Sequence, residues 1–304
     1  MKNLTLRQLR VLQAVADTLS YSRAAEHLHI TQPAVSMQLK LLEDDVGLPL
    51  VARQGRRMLL TDAGFELLRH GRRILAEVQA AEETLATLKG GRTGKLHLGV
   101  VPTANYFAPR LLMEFRKHFP DVALKLSVGR RDEILAMLAE HRVDVAIGGY
   151  PPSEADVEAE TFARHPHCIV AQRRHPLARQ RRVKWSQLRQ EPFIFREPGS
   201  ATRQFFEHLL QAQSLQINVT LELSGNETIK QAVMAGMGVS FLSAHTFQTE
   251  LAARRIAVLD IEGMPKLLDW CLLHRRDTVL SGVNAQFREF VLAEGALLAE
   301  CVVG

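Results

Sequence analysis

Tyr21-Ser-Arg-Ala-Ala-Glu-His-Leu-His-Ile-Thr-Gln-Pro-Ala-Val-Ser-Met-Gln-Leu-Lys40 describes two short helices joined by a tight turn. Ala24, Ala25 and Leu28 recur at helical spacing, as do Val35, Leu39 and Leu42, so each helix has one apolar face. Small alanines at the crossing let the two helices approach closely. Thr31 is placed to cap the second helix, and Pro33 suits its first turn, where the missing amide would have no partner anyway. Gln32, Ser36 and Lys40 are then left facing outward near the helix start. This is the arrangement of a helix-turn-helix whose second helix meets base edges in the major groove of duplex DNA. A helical hairpin with buried alanines can equally be a purely structural unit, so the flanking residues carry weight.

Leu48-Pro-Leu-Val-Ala-Arg-Gln-Gly-Arg-Arg-Met-Leu-Leu60 reads as two short strands around a Gln54-Gly55 turn, the form of a wing. Arg53, Arg56 and Arg57 gather there, where guanidinium groups would meet phosphates or the minor groove. From Met1 to Leu60, eight Lys or Arg stand against five Asp or Glu. Leu6-Arg-Gln-Leu-Arg10, Ala24-Ala25, Thr31-Gln-Pro-Ala-Val-Ser36, Leu42-Glu43, Gly47-Leu-Pro-Leu50 and Leu60-Thr-Asp-Ala-Gly64 together resemble a LysR-type transcriptional regulator. The resemblance extends over essentially the whole chain. It implies a winged helix-turn-helix, a dimerising linker helix, an effector-binding domain, promoter DNA bound by a dimer of dimers, RNA polymerase as a further partner, and a role as an activator. Val51-Ala52 departs from the pattern, because the family usually has Phe and an acidic residue before Arg53.

At 304 residues the chain is long for a single core and suggests two or three domains. A 46% apolar content fits a globular α/β body, and a net charge of +5 agrees with a polyanionic partner. Cys168, Cys271 and Cys301 are an odd number, each in or beside an apolar segment, and read as reduced thiols, not as a disulfide framework. Met1-Lys-Asn-Leu-Thr-Leu-Arg7 lacks the apolar core of a signal peptide, and no run reaches the length of a membrane span. The expected location is the cytoplasm, at the nucleoid.

Thr61 to Lys89 reads as one long helix, capped by Thr61 or Asp62 and ended by Gly90-Gly91. Leu67, Leu68, Ile74, Leu75, Val78, Leu85 and Leu88 line a broad stripe that calls for a second subunit as cover. Gly90-Gly-Arg-Thr-Gly94 is the expected hinge into the second half. Beyond it, strands are expected at Leu96–Val101, Leu124–Val128, Val143–Ile147, Cys168–Ala171, Phe193–Phe195, Val219–Leu223, Val239–Leu242 and Leu267–Leu273. Helices are expected at Asn105–His118, Asp132–His141, Thr202–Ala212, Glu227–Ala235 and Val279–Leu298. Two similar α/β halves with a late return strand suggest chain crossings near Gly149–Pro166 and Gly263–Lys266. The expected fold is α/β overall: a winged helix-turn-helix domain over 1–61 (the helix-turn-helix at 21–40) and a linker helix over 62–90. A two-lobed, periplasmic-binding-protein-like effector domain follows over 91–304. Its lobe I takes about 91–163 and 267–304, and lobe II about 164–266.

In open parallel sheets a ligand lies beyond the carboxyl ends of the strands. Pro102-Thr103-Ala104-Asn105, Gly129-Arg130-Arg131-Asp132, Arg196-Glu-Pro-Gly-Ser200-Ala-Thr202-Arg203 and Ser224-Gly-Asn226-Glu227-Thr228 each lead from a strand end into a helix start. Each offers unpaired amides at a positive dipole end, with hydroxyl or guanidinium groups beside them. Four such starts converging on one cleft favour a small anionic metabolite. Thr103, Arg130, Arg131, Ser200, Thr202, Arg203, Asn226 and Thr228 are the candidate contacts, with Ser200, Thr202 and Arg203 as the anion clamp and Thr103 opposite. Serine and threonine at helix starts are also ordinary caps.

A narrower resemblance lies in this half. Val128-Gly-Arg-Arg-Asp-Glu133, Val143-Asp-Val-Ala-Ile147 with Pro151-Pro152, His165-Pro-His167, His175-Pro-Leu-Ala178, Arg196-Glu-Pro-Gly-Ser200, Asn226-Glu-Thr-Ile-Lys-Gln-Ala-Val-Met-Ala-Gly-Met-Gly238 and Leu242-Ser-Ala-His-Thr246 resemble the subgroup that controls Calvin-cycle (RuBisCO) operons. The resemblance implies a phosphorylated sugar, phosphoenolpyruvate or a nicotinamide nucleotide as effector. Tyr150, Ala201 and Gly225 depart from it, where Arg, Gly and Ser are expected.

His165, His167 and Cys168 lack a second cluster at ligand spacing, so neither a metal nor a cofactor is expected. Ser200 lacks a nucleophile-elbow pattern, and Gly236-Met-Gly238 ends a helix instead of opening one, so no catalytic residue is assigned. The sequence therefore predicts a metabolite-switched transcriptional regulator. The alternatives are a regulator of aromatic or amino-acid metabolism, or a binding protein or enzyme with an appended helix-turn-helix.

Overall fold

A computed structural model describes residues 3–54, 57–88, 94–149 and 156–303. The expected hinge at Gly90–Gly94 (apart from Gly94 itself), Arg56, Tyr150 and the Pro151-Pro152 pair lie outside them. The chain divides into two compact units, one running through the long linker helix and one following it.

The first unit opens with α1 (Leu6–Thr18), α2 (Tyr21–Leu28) and α3 (Gln32–Val46). Each start is fixed by a side-chain cap from Thr5, Ser20 or Thr31, and each end by a left-handed residue, Leu19, His29 or Gly47. The alanine pair behaves as its size demands: Ala24 and Ala25 are buried where α2 crosses its neighbours, packed with Leu12, Val15, Val35, Leu39 and Leu42. Each fully buried Leu or Val contributes about 1.5–3 kcal/mol relative to exposure. β1 (Val51–Gln54) and β2 (Arg57–Leu60) form an antiparallel wing with Val51 opposite Leu60. Glu43 of α3 holds the wing, its carboxylate accepting from the Leu50 and Val51 amides at 2.7 and 3.3 Å. Thr61 caps α4 (Asp62–Leu88) by accepting from the Gly64 amide at 3.0 Å.

The second unit runs β3 (Gly94–Val100), α5 (Ala108–His118), β4 (Val122–Val128), α6 (Arg131–Ala139), β5 (Val145–Gly148) and β6 (Val157–Gln172). It continues with β7 (Pro192–Arg196), α7 (Ala201–Ala212), β8 (Asn218–Leu223), α8 (Asn226–Met234), β9 (Ser240–Ser243), α9 (Gln248–Ala252), β10 (Ile256–Val258), β11 (Lys266–Arg275) and α10 (Gly282–Leu298). In lobe I, β3 lies parallel to β4 and β5, and β11 closes the sheet antiparallel to β5. Its core gathers Leu96, Leu98, Phe115, Trp270, Phe287 and Val291. In lobe II, β7 pairs parallel with β8, a Phe193–Val239 bridge links β7 to the β9 segment, and β9 and β10 both lie antiparallel to β6.

The sequence expectation for β6 was too short. The strand begins at Val157 and pairs with β11 from Val157 to His167 before meeting β9 and β10. One continuous strand thus belongs to both lobes, with β11 as its return. Its polar first half hides it from a search for apolar runs: Glu160 pairs with Arg288, and Arg164 with Asp269 at 2.6 Å. Past α10 the tail makes a third link, since Gln248 of lobe II exchanges two hydrogen bonds with the Val302 backbone at 2.7 and 3.0 Å.

Candidate functional site

Two surfaces carry the candidate residues. On the first unit, Val35, Leu39 and Leu42 turn inward, and helical periodicity leaves the other face of α3 outward. Gln32, Pro33, Ser36 and Lys40 are all exposed on that outer side. Arg53 is exposed on β1, and Arg57 stands opposite Gln54 at the start of β2. Hydrogen-bonding side chains on a protruding helix, flanked by a cationic wing, fit a duplex groove and its phosphates.

In the second unit a cavity of about 410 Å³ lies between the lobes. Thr103 and Arg130–Arg131 enter it from the ends of β3 and β4, and Ser200 and Thr202 from the start of α7. Ser200 occupies the N-cap of α7 without making a side-chain cap, and the first-turn amides of any helix have no intrahelical acceptor. Thr103 and Thr202 are each only 7% exposed. Neither hydroxyl has a hydrogen-bond partner among the described residues. Both residues line the cavity, where their hydroxyls are available to a ligand. Arg130 reaches across the cleft: a Cβ placed on Gly199 (φ +83) would lie 2.3 Å from Arg130 Nη2. Gly199 is therefore required twice, by its conformation and by that approach.

Three candidates fall off the cavity lining. Arg203 is spent on structure, with Nε 2.8 Å from Glu207, Nη1 3.1 Å from Glu222, and its guanidinium 5.3 Å from the Phe195 ring. Asn226 is buried, its Oδ1 accepting from Arg196 Nη1 at 2.7 Å. Thr228 is exposed on α8.

Arg196 and Glu197 line the cavity as a pair. Arg196 donates from Nε and Nη2 to the two Glu197 oxygens at 2.9 and 2.7 Å. These hydrogen bonds hold the Glu197 carboxyl down at about 2. Arg196 is thus neutralised by protein, and the other guanidinium groups on the lining are those of Arg131 and of Arg130, the latter 3.5 Å from Asp132 Oδ1. Burial lowers the Arg131 pKa, as expected for a cation deprived of water.

The floor was not foreseen as ligand-facing. His165, His167 and Trp270 come from the two crossing strands. His165 stacks on Trp270 with ring centres 3.7 Å apart, and its Nε2 lies 2.9 Å from Ser243 Oγ. His167 Nδ1 donates to the His165 carbonyl at 3.1 Å. Burial holds His165 well below the ordinary imidazole range and His167 at about 4, so both rings are neutral near pH 7. The sequence did contain a signal: residues 165 and 167 share one face of any strand. The cavity therefore offers amides, hydroxyls and cations at its walls over an uncharged aromatic floor, a site for a compact anion.

Both units match known proteins. The model of the bacterial regulatory helix-turn-helix protein, lysR family, matches residues 6–65, and that of the LysR substrate binding domain matches residues 89–296. The RuBisCO operon transcriptional regulator of Allochromatium vinosum is 43% identical over 302 residues, covering 99% of this chain and 100% of the relative. The HTH-type transcriptional regulator CbbR of Rhodospirillum rubrum is 46% identical over 288 residues, covering 95% and 96% of the two chains. Among solved structures, the regulatory domain of CcmR from Synechocystis PCC6803 in complex with 2-PG superposes with a TM-score of 0.63 at 36% identity, covering 66% of this chain and 96% of that one.

Proposed function

The chain belongs to the LysR family of bacterial transcriptional regulators, and from that premise we propose that it controls carbon-fixation genes in response to a small phosphorylated metabolite. The observation that carries the effector class is the pair of cavity-lining threonines, Thr103 and Thr202, whose hydroxyls have no hydrogen-bond partner among the described residues, beside the uncapped start of α7 and the Arg130–Arg131 guanidinium groups. A phosphate or carboxylate accepts from all of these at once. 2-Phosphoglycolate, seen with the CcmR regulatory domain, heads the candidates. Phosphoenolpyruvate, phosphorylated sugars and nicotinamide nucleotides share its chemistry.

In this reading residues 1–61 bind promoter DNA, with Gln32, Ser36 and Lys40 at the bases and Arg53, Arg56 and Arg57 at the phosphates. Residues 62–90 join two subunits. Ile74 and Leu85 are exposed on one side of α4, a stripe that a second copy would cover, and two such dimers would engage one promoter together with RNA polymerase. Effector binding to residues 91–304 would bias the assembly by about 1–3 kcal/mol, the usual scale of allosteric coupling.

The test is a thermal-shift panel on the full-length protein with 2-phosphoglycolate, phosphoenolpyruvate, ribulose 1,5-bisphosphate, NADPH and aromatic carboxylates. A ligand at about a hundred times its dissociation constant adds about 2.7 kcal/mol of stability, a readily visible shift. Stabilisation by phosphorylated compounds is the expected result. Stabilisation by aromatic carboxylates alone would move the regulator to another pathway.

A further inference from the structure

α3 buries Val35, Leu39 and Leu42 almost completely. At about 100° per residue, the direction opposite that stripe points roughly along Met37. Pro33 and Lys40 flank it on the same outer face, whereas Gln32 and Ser36 sit on the shoulder. Met37 is thus the crest of the helix, and it is 57% exposed. Met37 stands in the second turn of α3, near the N-terminal end of the helix, the part that contacts base edges in a groove.

A crest residue in a major groove ordinarily carries donors and acceptors. Met37 has neither, beyond a weak thioether acceptor. Among the groups that base pairs display in the major groove, one is apolar, the C5-methyl of thymine. Methionine is flexible and polarisable enough to settle on a methyl group without demanding a single geometry. Leaving such a side chain in water has a cost that contact with a methyl group would recover. The exposed Arg53 of the wing is free to hold a phosphate while the outer face of the helix, with Lys40 on it, meets the base edges.

We propose that Met37 is a base-reading residue that selects thymine by packing on its C5-methyl group. The proposal rests on α3 being the helix that enters the groove, and its test separates the two. Full-length wild-type protein first selects duplexes from a random-sequence pool. Each thymine of the selected site is then replaced singly by deoxyuridine, which deletes the methyl and leaves the pairing edge intact. Wild-type affinity should fall about fourfold at one thymine per half-site, the worth of one buried methyl group. Met37→Ala should bind the thymine duplex about as weakly as wild type binds the deoxyuridine one. It should not distinguish the two bases at that position, and Met37→Leu should restore part of the preference. Affinity of Met37→Ala for unrelated duplex should stay at the wild-type level, which reports an intact fold.

A wild-type protein indifferent to every thymine-to-deoxyuridine replacement overturns the proposal, whatever the variants do. So does a Met37→Ala protein that keeps the full preference. If wild type selects no sequence at all, or if Gln32→Ala and Ser36→Ala leave its selection unchanged, the placement of α3 in the groove is what fails, and the proposal falls with it.

Discussion

In the proposed effector site, the hydroxyls of Thr103 and Thr202 are the atoms on which a single-residue test turns. Each is buried, each faces the cavity, and neither is satisfied by protein among the described residues. Thr202→Val keeps the shape and removes one donor. With a charged acceptor as ligand, the loss should be about 1.5–3 kcal/mol, or ten- to a hundredfold in effector affinity by titration calorimetry. Effector-free binding to promoter DNA should not change, and Thr202→Ser should retain most of the affinity. The histidine floor makes a second prediction at this scale. His167 titrates near 6.5 when unfolded and at about 4 when folded, because burial disfavours its charge. The unfolded chain therefore binds the extra proton first, and stability rises with pH across that interval. His167 should contribute about 3 kcal/mol that is present in full above about pH 6.5 and is lost as the pH falls toward 4. His165, also lowered by burial, acts in the same sense. Urea unfolding at pH 7, 5.5 and 4.5 should show the slope, and His167→Phe, placed between Phe205 and Phe241, should flatten it. An unchanged slope would mean that the ring is not held neutral.

At the scale of elements, what the sequence revealed depends on whether an element buries a regular stripe. α4, expected over Thr61–Lys89, spans Asp62–Leu88, because one helical face is continuously apolar and Thr61 caps it. β10 and α9 were missed, being too short to display a period. β6 was truncated because its first half is held by ion pairs in place of apolar contacts. The site divides along the same line. Ser200 and Thr202 were legible as polar residues where a strand yields to a helix. Arg203 was misread because the carboxylates that hold it, Glu207 and Glu222, include one from another element. Trp270 and His165 lie 105 positions apart in the sequence and meet only through the register that sets Leu268 opposite His165. Two predictions concern how elements join and act. A Cβ on Gly64 would sit 2.0 Å from the Leu50 carbonyl oxygen. Backbone must then move, so Gly64→Ala should cost about 3 kcal/mol or more in urea unfolding of the N-terminal unit. Arg53→Ala in the wing should weaken binding to all duplexes alike and reduce the salt slope of log K by about 1. A loss confined to the cognate duplex would instead put Arg53 at a base.

For the molecule as a whole, the question is what an effector has to move. Lobes I and II share β6, β11 and the tail, links that permit rotation more readily than separation. Across the cleft from these links to the Thr103 side runs one more contact. Tyr106, three residues beyond Thr103, donates from its hydroxyl to Glu227 Oε1 at 2.6 Å, at the start of α8 in lobe II. Lys230 lies under both, 2.8 Å from Glu227, 2.9 Å from Glu250 and 5.2 Å from the Tyr106 ring centre. Burial and the neighbouring carboxylates raise the Tyr106 pKa, so the hydroxyl keeps its proton throughout the physiological range. The bond therefore favours the arrangement in which the lobes meet around the cavity. Tyr106→Phe removes this one hydrogen bond and keeps the ring over Lys230. Tyr106 is partly exposed, so the loss should be about 1 kcal/mol, which lowers the ratio of closed to open lobes about fivefold. Apparent effector affinity scales with the closed fraction and should weaken by up to the same factor. Unlike Thr202→Val, the change should also appear without ligand, as a larger radius of gyration in solution scattering that saturating effector reverses. If Tyr106→Phe alters neither the scattering nor the affinity, the Tyr106–Glu227 bond follows closure and does not favour it, and the balance between the lobes is set by β6 and β11.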